Sequence, residues 1–106
     1  MDKILEKAVS IIVNEVEPEK VLLFGSRAYG TPSNESDYDI LIIKDFSGNH
    51  RRFLKKLYVK LFGIGVPIDL LLVSKINIEN NLDNIYYFYK EAVKKGIILY
   101  DKNKIS

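Results

Sequence analysis

The chain has 106 residues, 47 % of them hydrophobic and 28 % charged. This is the make-up of one soluble globular domain over residues 1–106, and it excludes disordered and collagen-like sequence. No apolar run nears the roughly 20 residues that span a bilayer, and the acid-bearing MDKILEKAVS start is not that of a signal peptide. Without a single cysteine, disulfides, thiolate metal sites and cysteine nucleophiles are excluded, and a cytoplasmic location is expected; a net charge of +2 names no partner.

Residues 2 to 16 are expected to form a helix, because Leu5, Ala8, Val9, Ile12 and Val16 recur at three- and four-residue steps. Pro18 ends it, since the residue before a proline avoids the helical region. KVLLF, residues 20 to 24, is a short apolar run stopped by Gly25 and reads as a buried strand. DILIIK, residues 39 to 44, is a second strand rich in β-branched residues. From Asn49 to Phe62 a helix is expected, with Phe53, Leu54, Leu57, Tyr58, Leu61 and Phe62 as its apolar face and a basic opposite face. VPIDLLLV, residues 66 to 73, is a third strand. Leu82 to Lys95 reads as a helix with Leu82, Ile85, Tyr86, Tyr89, Ala92 and Val93 inward, and Tyr87 and Phe88 as surface candidates. Gly96 stops this helix, and residues 97 to 100 form a fourth strand. The expected fold is α/β, a mixed four-stranded sheet with helices packed on it.

Two short segments carry chemistry. Gly25-Ser26 directly follows a strand and opens a short Arg27-Ala28-Tyr29-Gly30 segment. Free backbone N–H groups at such a turn make a cradle for phosphate, and Ser26 adds a hydroxyl. Taken alone, Gly-Ser after a strand is more often an ordinary turn. The second segment is Ser36-Asp37-Tyr38-Asp39 at the mouth of the second strand. Residues i and i+2 of a strand point to one side, so the two carboxylates project together and repel unless a hard divalent cation such as Mg²⁺ lies between them. A capping role for Asp37 and a solvated Asp39 is the plainer alternative. Asp69 stands inside VPIDLLLV, where an acid in a buried run is costly unless paired or metal-bound. If the first two strands are antiparallel and the second and third are parallel through their helical crossover, Asp69 comes beside Asp39. Three carboxylates beside a phosphate cradle suit two-metal phosphoryl or nucleotidyl transfer.

The segment GSRAYGTPSNESDYD resembles the Gly-Ser-x-Ala-x-Gly, five residues, Ser-Asp-x-Asp pattern of the minimal nucleotidyltransferases, in the DNA polymerase beta-like superfamily. The match holds at Gly25, Ser26, Ala28, Gly30, Ser36, Asp37 and Asp39, and Asp69 supplies the third acid. Tyr29 departs from the pattern, because many members carry arginine there; Arg27 is left as the nearby cation. The resemblance implies a polymerase beta-like fold. It also implies that Gly25, Ser26, Arg27 and Ser36 bind nucleotide, with Ser36 bracing the turn that aims Asp37. Asp37, Asp39 and Asp69 would be catalytic and would ligate metal, two Mg²⁺ ions being expected. The substrate would be a nucleoside triphosphate, ATP foremost, with AMP passing to a hydroxyl acceptor.

Lone members of this family, the MntA type, pair with a helical HEPN partner in toxin–antitoxin systems. There the nucleotidyltransferase is the antitoxin and modifies a tyrosine of the partner. The alternative is an antitoxin with little or no catalysis that neutralises its partner by contact. Transfer to a small molecule is less expected, since members of that kind carry extra helical domains. The basic run from His50 to Lys60 is read as a solvated helix face, so nucleic acid is not an expected partner. His50 is taken as a surface residue, membrane association is not expected, and homo-oligomerisation is left open.

Overall fold

The computed structural model describes residues 3–29, 37–45, 50–74 and 83–104. Helix α1 spans Lys3–Val16, and the five residues of its predicted stripe are its buried ones. Its last turn closes through a hydrogen bond from the Glu17 N–H to the Val13 carbonyl (3.0 Å). Glu17 then adopts a left-handed φ of 48° immediately before Pro18. Pro18 bars further helix, and the left-handed residue turns the chain toward the sheet. Lys44 donates a side-chain hydrogen bond to the Val16 carbonyl, so a cation serves the negative end of the helix dipole.

Strands β1 (Lys20–Phe24), β2 (Tyr38–Ile43), β3 (Ile68–Val73) and β4 (Ile97–Asp101) form one sheet in the order β3-β2-β1-β4. β1 runs antiparallel to both β2 and β4, and β2 runs parallel to β3. The parallel pair is joined through α3 (His50–Leu61), the crossover expected from the sequence. The short helix α2 covers Ser26–Tyr29, and α4 covers Asp83–Lys95.

Alternation along the strands splits the core in two. Val21, Leu23, Tyr38, Ile40, Ile42 and Leu72 pack with α1 and with Leu57 and Leu61 of α3. Leu22, Leu41, Ile43 and Val73 pack on the other side with Ala92 of α4, joined by Phe24, Leu71 and Tyr89. The result is three layers, with α1 and α3 on one face and α4 on the other. Each large aliphatic side chain fully buried here stabilises the fold by about 1.5–3 kcal/mol. Among the described residues no helix is long and apolar enough to cross a membrane.

The inward stripes are narrower than the sequence patterns. On α3, Leu57 and Leu61 are buried and Phe53 and Leu54 half-buried, but Tyr58 is exposed, as is Phe62 just past the helix end. A stripe that includes i+1, i+5 and i+9 is wider than the arc one helix can press on a sheet. On α4, Ala92 is buried and Tyr89 half-buried, while Val93 is exposed. Tyr87 is exposed, as expected. The expectations for Leu82, and for the side chains of Ile85, Tyr86, Phe88 and His50, lie outside the described residues.

Candidate active site

The strand register brings the acids together. Asp39 pairs with Asp69 across the parallel β2–β3 ladder, and with Phe24 across the antiparallel β1–β2 ladder. Neighbouring strands lie about 4.8 Å apart, so two aspartates thirty positions apart in sequence become cross-strand neighbours. Both are in phase with the α4 side of the sheet, since Asp39 alternates with Leu41 and Asp69 with Leu71. Asp37 immediately precedes β2 and is exposed.

Gly25 follows Phe24 and closes the other side of the site. Its φ of +73° is a left-handed value that favours glycine, and the Ala28 N–H donates to its carbonyl at 3.0 Å, turning the chain into α2. A methyl group at Gly25 would overlap a carboxylate oxygen of Asp39 and approach its Cγ to 3.1 Å. The glycine therefore gives Asp39 room against the backbone where Ser26 opens α2.

Asp39 titrates above its ordinary value. Partial burial is the largest cause, and the charges of Asp69 and Asp37 add to it. The protein thus gathers negative charge here at an energetic cost, as a site built for a cation does. Hard oxygen donors suit magnesium. As the side chains stand, no three acids or histidines among the described residues are close enough to enclose an ion. Asp37 and Asp69 are exposed, and exposed side chains change rotamer within nanoseconds.

Asp69 is not the buried acid that its apolar neighbours suggested; it is exposed. β3 is an outer strand and Asp69 is its second residue, so the side chain leaves the sheet near its end. Its alignment with Asp39, and not burial, is what singles it out.

Arg27 lies with its guanidinium 4.2 Å from the centre of the Tyr38 ring. Tyr38 belongs to the core on the α1 and α3 side, opposite to the face of Asp39. In this conformation Arg27 anchors α2 to β2. Ser36 and Gly30 lie outside the described residues. Sequence reasoning missed this role of Tyr38, although an aromatic residue between two outward acids is placed inward by strand alternation. It also missed Tyr58, whose hydroxyl accepts a hydrogen bond from the Leu70 N–H at 2.9 Å, beside Asp69. No sequence signal marks that contact. A separate cleft of about 530 Å³, lined by Glu17, Glu19, Lys44, Asp45 and Lys102 among others, lies beyond the opposite end of β2.

Residues 6–105 match the model of the family described as polymerase beta, nucleotidyltransferase. A Methanocaldococcus jannaschii protein provisionally named a protein adenylyltransferase is 31 % identical over 102 residues, covering 90 % of this chain and 97 % of its own. Among solved structures, a Sulfolobus solfataricus protein provisionally named a nucleotidyltransferase aligns with a TM-score of 0.63 at 18 % identity. The alignment covers 96 % of this chain and 81 % of that one. A toxin–antitoxin complex crystallised with AMP-PNP aligns with a TM-score of 0.61 at 19 % identity, covering 93 % and 74 %. The structural likenesses support the fold, and the family match spans nearly all of the sequence. The chain belongs to the polymerase beta nucleotidyltransferase family.

Proposed function

We propose that residues 1–106 act as one Mg²⁺-dependent nucleotidyltransferase domain that moves AMP from ATP to a hydroxyl of a partner protein. The observation that carries this reading is the pairing of Asp39 with Asp69 across β2 and β3, with Gly25 packed against Asp39, in a chain of this family. The named activity of the Methanocaldococcus relative supports a protein as acceptor.

In this reading the backbone at Gly25 and the hydroxyl of Ser26 hold the β- and γ-phosphates. Asp37, Asp39 and Asp69 would hold two magnesium ions, which when bound would offset triphosphate charge and acidify the acceptor hydroxyl. Asp69 orients that hydroxyl for attack on the α-phosphorus and helps to take its proton. The bond from the acceptor oxygen to the α-phosphorus forms, the bond from the α-phosphorus to the oxygen bridging to the β-phosphate breaks, and pyrophosphate leaves. Ser36 would add to nucleotide binding. Arg27, stacked on the Tyr38 ring, would be the cation nearest the phosphates. The toxin–antitoxin complex among the structural relatives supports an antitoxin role. In this reading the chain acts in the cytoplasm on a helical HEPN protein, with a tyrosine of that partner as acceptor.

The test is transfer from ATP labelled at the α-phosphate or at the γ-phosphate, to the partner protein, in Mg²⁺. Label is expected from the α-position only. It should fall at least about a hundredfold in Asp37→Asn/Asp39→Asn, in line with loss of metal-based charge stabilisation. Transfer that survives this double substitution refutes the assignment. A second reading, neutralisation by contact without chemistry, draws on exposed aromatics such as Tyr87. It predicts that the variant lacking all three acids still neutralises the partner.

A further inference from the structure

Helix α3 leaves part of its apolar surface uncovered. Phe62 is 91 % exposed, Val59 66 % and Tyr58 41 %. Together with Lys55 they line a shallow groove of about 420 Å³. Contiguous large apolar side chains at a surface mark an interaction site more often than a single exposed residue does.

Charge and position say what covers it. α3 carries Arg51, Arg52, Lys55, Lys56 and Lys60 and no acid. Lys56 and Lys60 reach toward Glu15 of α1, at 3.8 and 3.7 Å. Arg52 and Lys55 share the helix ridge that continues to Val59 and Phe62, by their three- and four-residue spacing. A groove with a basic rim suits an acidic partner. It disfavours a second copy docking through the same helix, because two basic helices without acids would face each other.

The groove also reaches the outer edge of β3, on the opposite face of the sheet from the acids. Its Tyr58 hydroxyl takes the hydrogen bond of the Leu70 N–H, one residue after Asp69, on the outer strand of the sheet. A protein seated on Tyr58, Val59 and Phe62 therefore lies against the edge that carries the third acid.

We propose that this groove docks an acidic, apolar-anchored segment of the protein that receives the nucleotide. The proposal rests on the reading of the chain as a transferase with a protein acceptor. Apolar side chains of the partner cover Phe62 and Val59, and its carboxylates meet Arg52 and Lys55.

The probe is a fluorescein-labelled amphipathic helical peptide with a leucine stripe flanked by glutamates; a counterpart carries lysines instead. Binding to the whole chain is read by fluorescence anisotropy. The glutamate peptide is expected to bind, and the lysine peptide to bind at least about tenfold more weakly. Phe62→Ser and Val59→Ser should each weaken the glutamate peptide about tenfold, a typical anchor loss. Both side chains are exposed, and thermal melts check that each variant is folded. Lys55→Glu should reduce the preference for glutamate.

Equal binding of the two peptides, no binding, or no effect of Phe62→Ser overturns the proposal. So does Phe62-dependent self-association in sedimentation, or Phe62-dependent binding to phosphatidylserine vesicles in place of the peptide. The Asp37→Asn/Asp39→Asn variant should keep full peptide affinity. If peptide binding behaves as expected but no α-phosphate label is transferred, the reaction assigned above fails while the surface stands.

Discussion

Replacing Gly25 by alanine separates two effects that the structure puts at one residue. The first is backbone: at φ +73° an L-residue is strained by about 1 kcal/mol relative to glycine. The second is contact. The new methyl would overlap the Asp39 carboxylate, with Cγ at 3.1 Å and Cβ at 3.3 Å, so Asp39 must leave its rotamer at a further cost of about 0.5–1.5 kcal/mol. Gly63→Ala is the control, since its φ is +86° but nothing lies within 4 Å of the added carbon. At about 4–8 °C per kcal/mol for a domain of this size, Gly63→Ala should melt roughly 4–8 °C below wild type and Gly25→Ala roughly 6–20 °C below. The assay is thermal and urea unfolding without divalent metal, with both glycine changes repeated in an Asp39→Ala background. There the excess cost of Gly25→Ala should largely disappear, because the carboxylate it displaces is gone. Gly25→Ala should also lose about a hundredfold in nucleotidyl transfer, the usual result of misplacing a reacting group by about an ångström. The reasoning is refuted if Gly25→Ala costs no more than Gly63→Ala, or if its excess cost persists without the Asp39 carboxylate.

Three further outcomes are expected. Because the pKa of Asp39 is raised by burial and by Asp69 and Asp37, the native state holds its proton more tightly than the unfolded chain. Metal-free stability then falls as pH rises from the ordinary value of 3.8 through the raised one, and stays lower above it. Asp39→Asn should therefore be more stable than wild type at pH 7 in urea titrations, the gap closing in acid; a gap that widens in acid contradicts this. Gly96→Ala should destabilise by about 1–3 kcal/mol, because the added carbon runs into the Ala92 and Leu23 carbonyls, which are backbone and cannot swing aside. Calorimetry would detect this as a lowered Tm, and an unchanged Tm counts against the α4–β1 approach. Arg27→Ala should cost about 0.5–1 kcal/mol through loss of the contact with the Tyr38 ring, and Arg27→Lys less, both measured by chemical denaturation.

Much of the architecture is legible in local pattern. The α1 stripe is recovered residue by residue, and β1 ends where Gly25 interrupts the apolar run. Proline and glycine act on their own φ and on their immediate neighbours, so their effects are readable without knowing the fold. The two wide stripes on α3 and α4 misled because hydrophobic character is a property of a residue, whereas burial is a property of what packs on it. Phe62 is as apolar as Leu61, yet only Leu61 faces the sheet.

The acids divide in the same way. The i, i+2 spacing of Asp37 and Asp39 and the Gly-Ser turn are local, so the motif, and the family resemblance it carries, can be read from residues 25 to 39. Whether Asp69 belongs with them depends on the β2–β3 register, set by the crossover through α3 and by the cores on both faces of the sheet. A one-residue slip of a strand would have turned Asp69 to the opposite face. The sequence by itself named the candidate groups for a nucleotide and a cation: Gly25, Ser26, Asp37, Asp39 and Asp69. Tertiary structure decided that Asp39 and Asp69 stand side by side, that Asp69 is exposed, that Arg27 rests on Tyr38, and that Tyr58 meets β3 next to Asp69. Local chemistry is written in neighbouring residues, but cross-strand alignment and exposure arise only when distant segments pack.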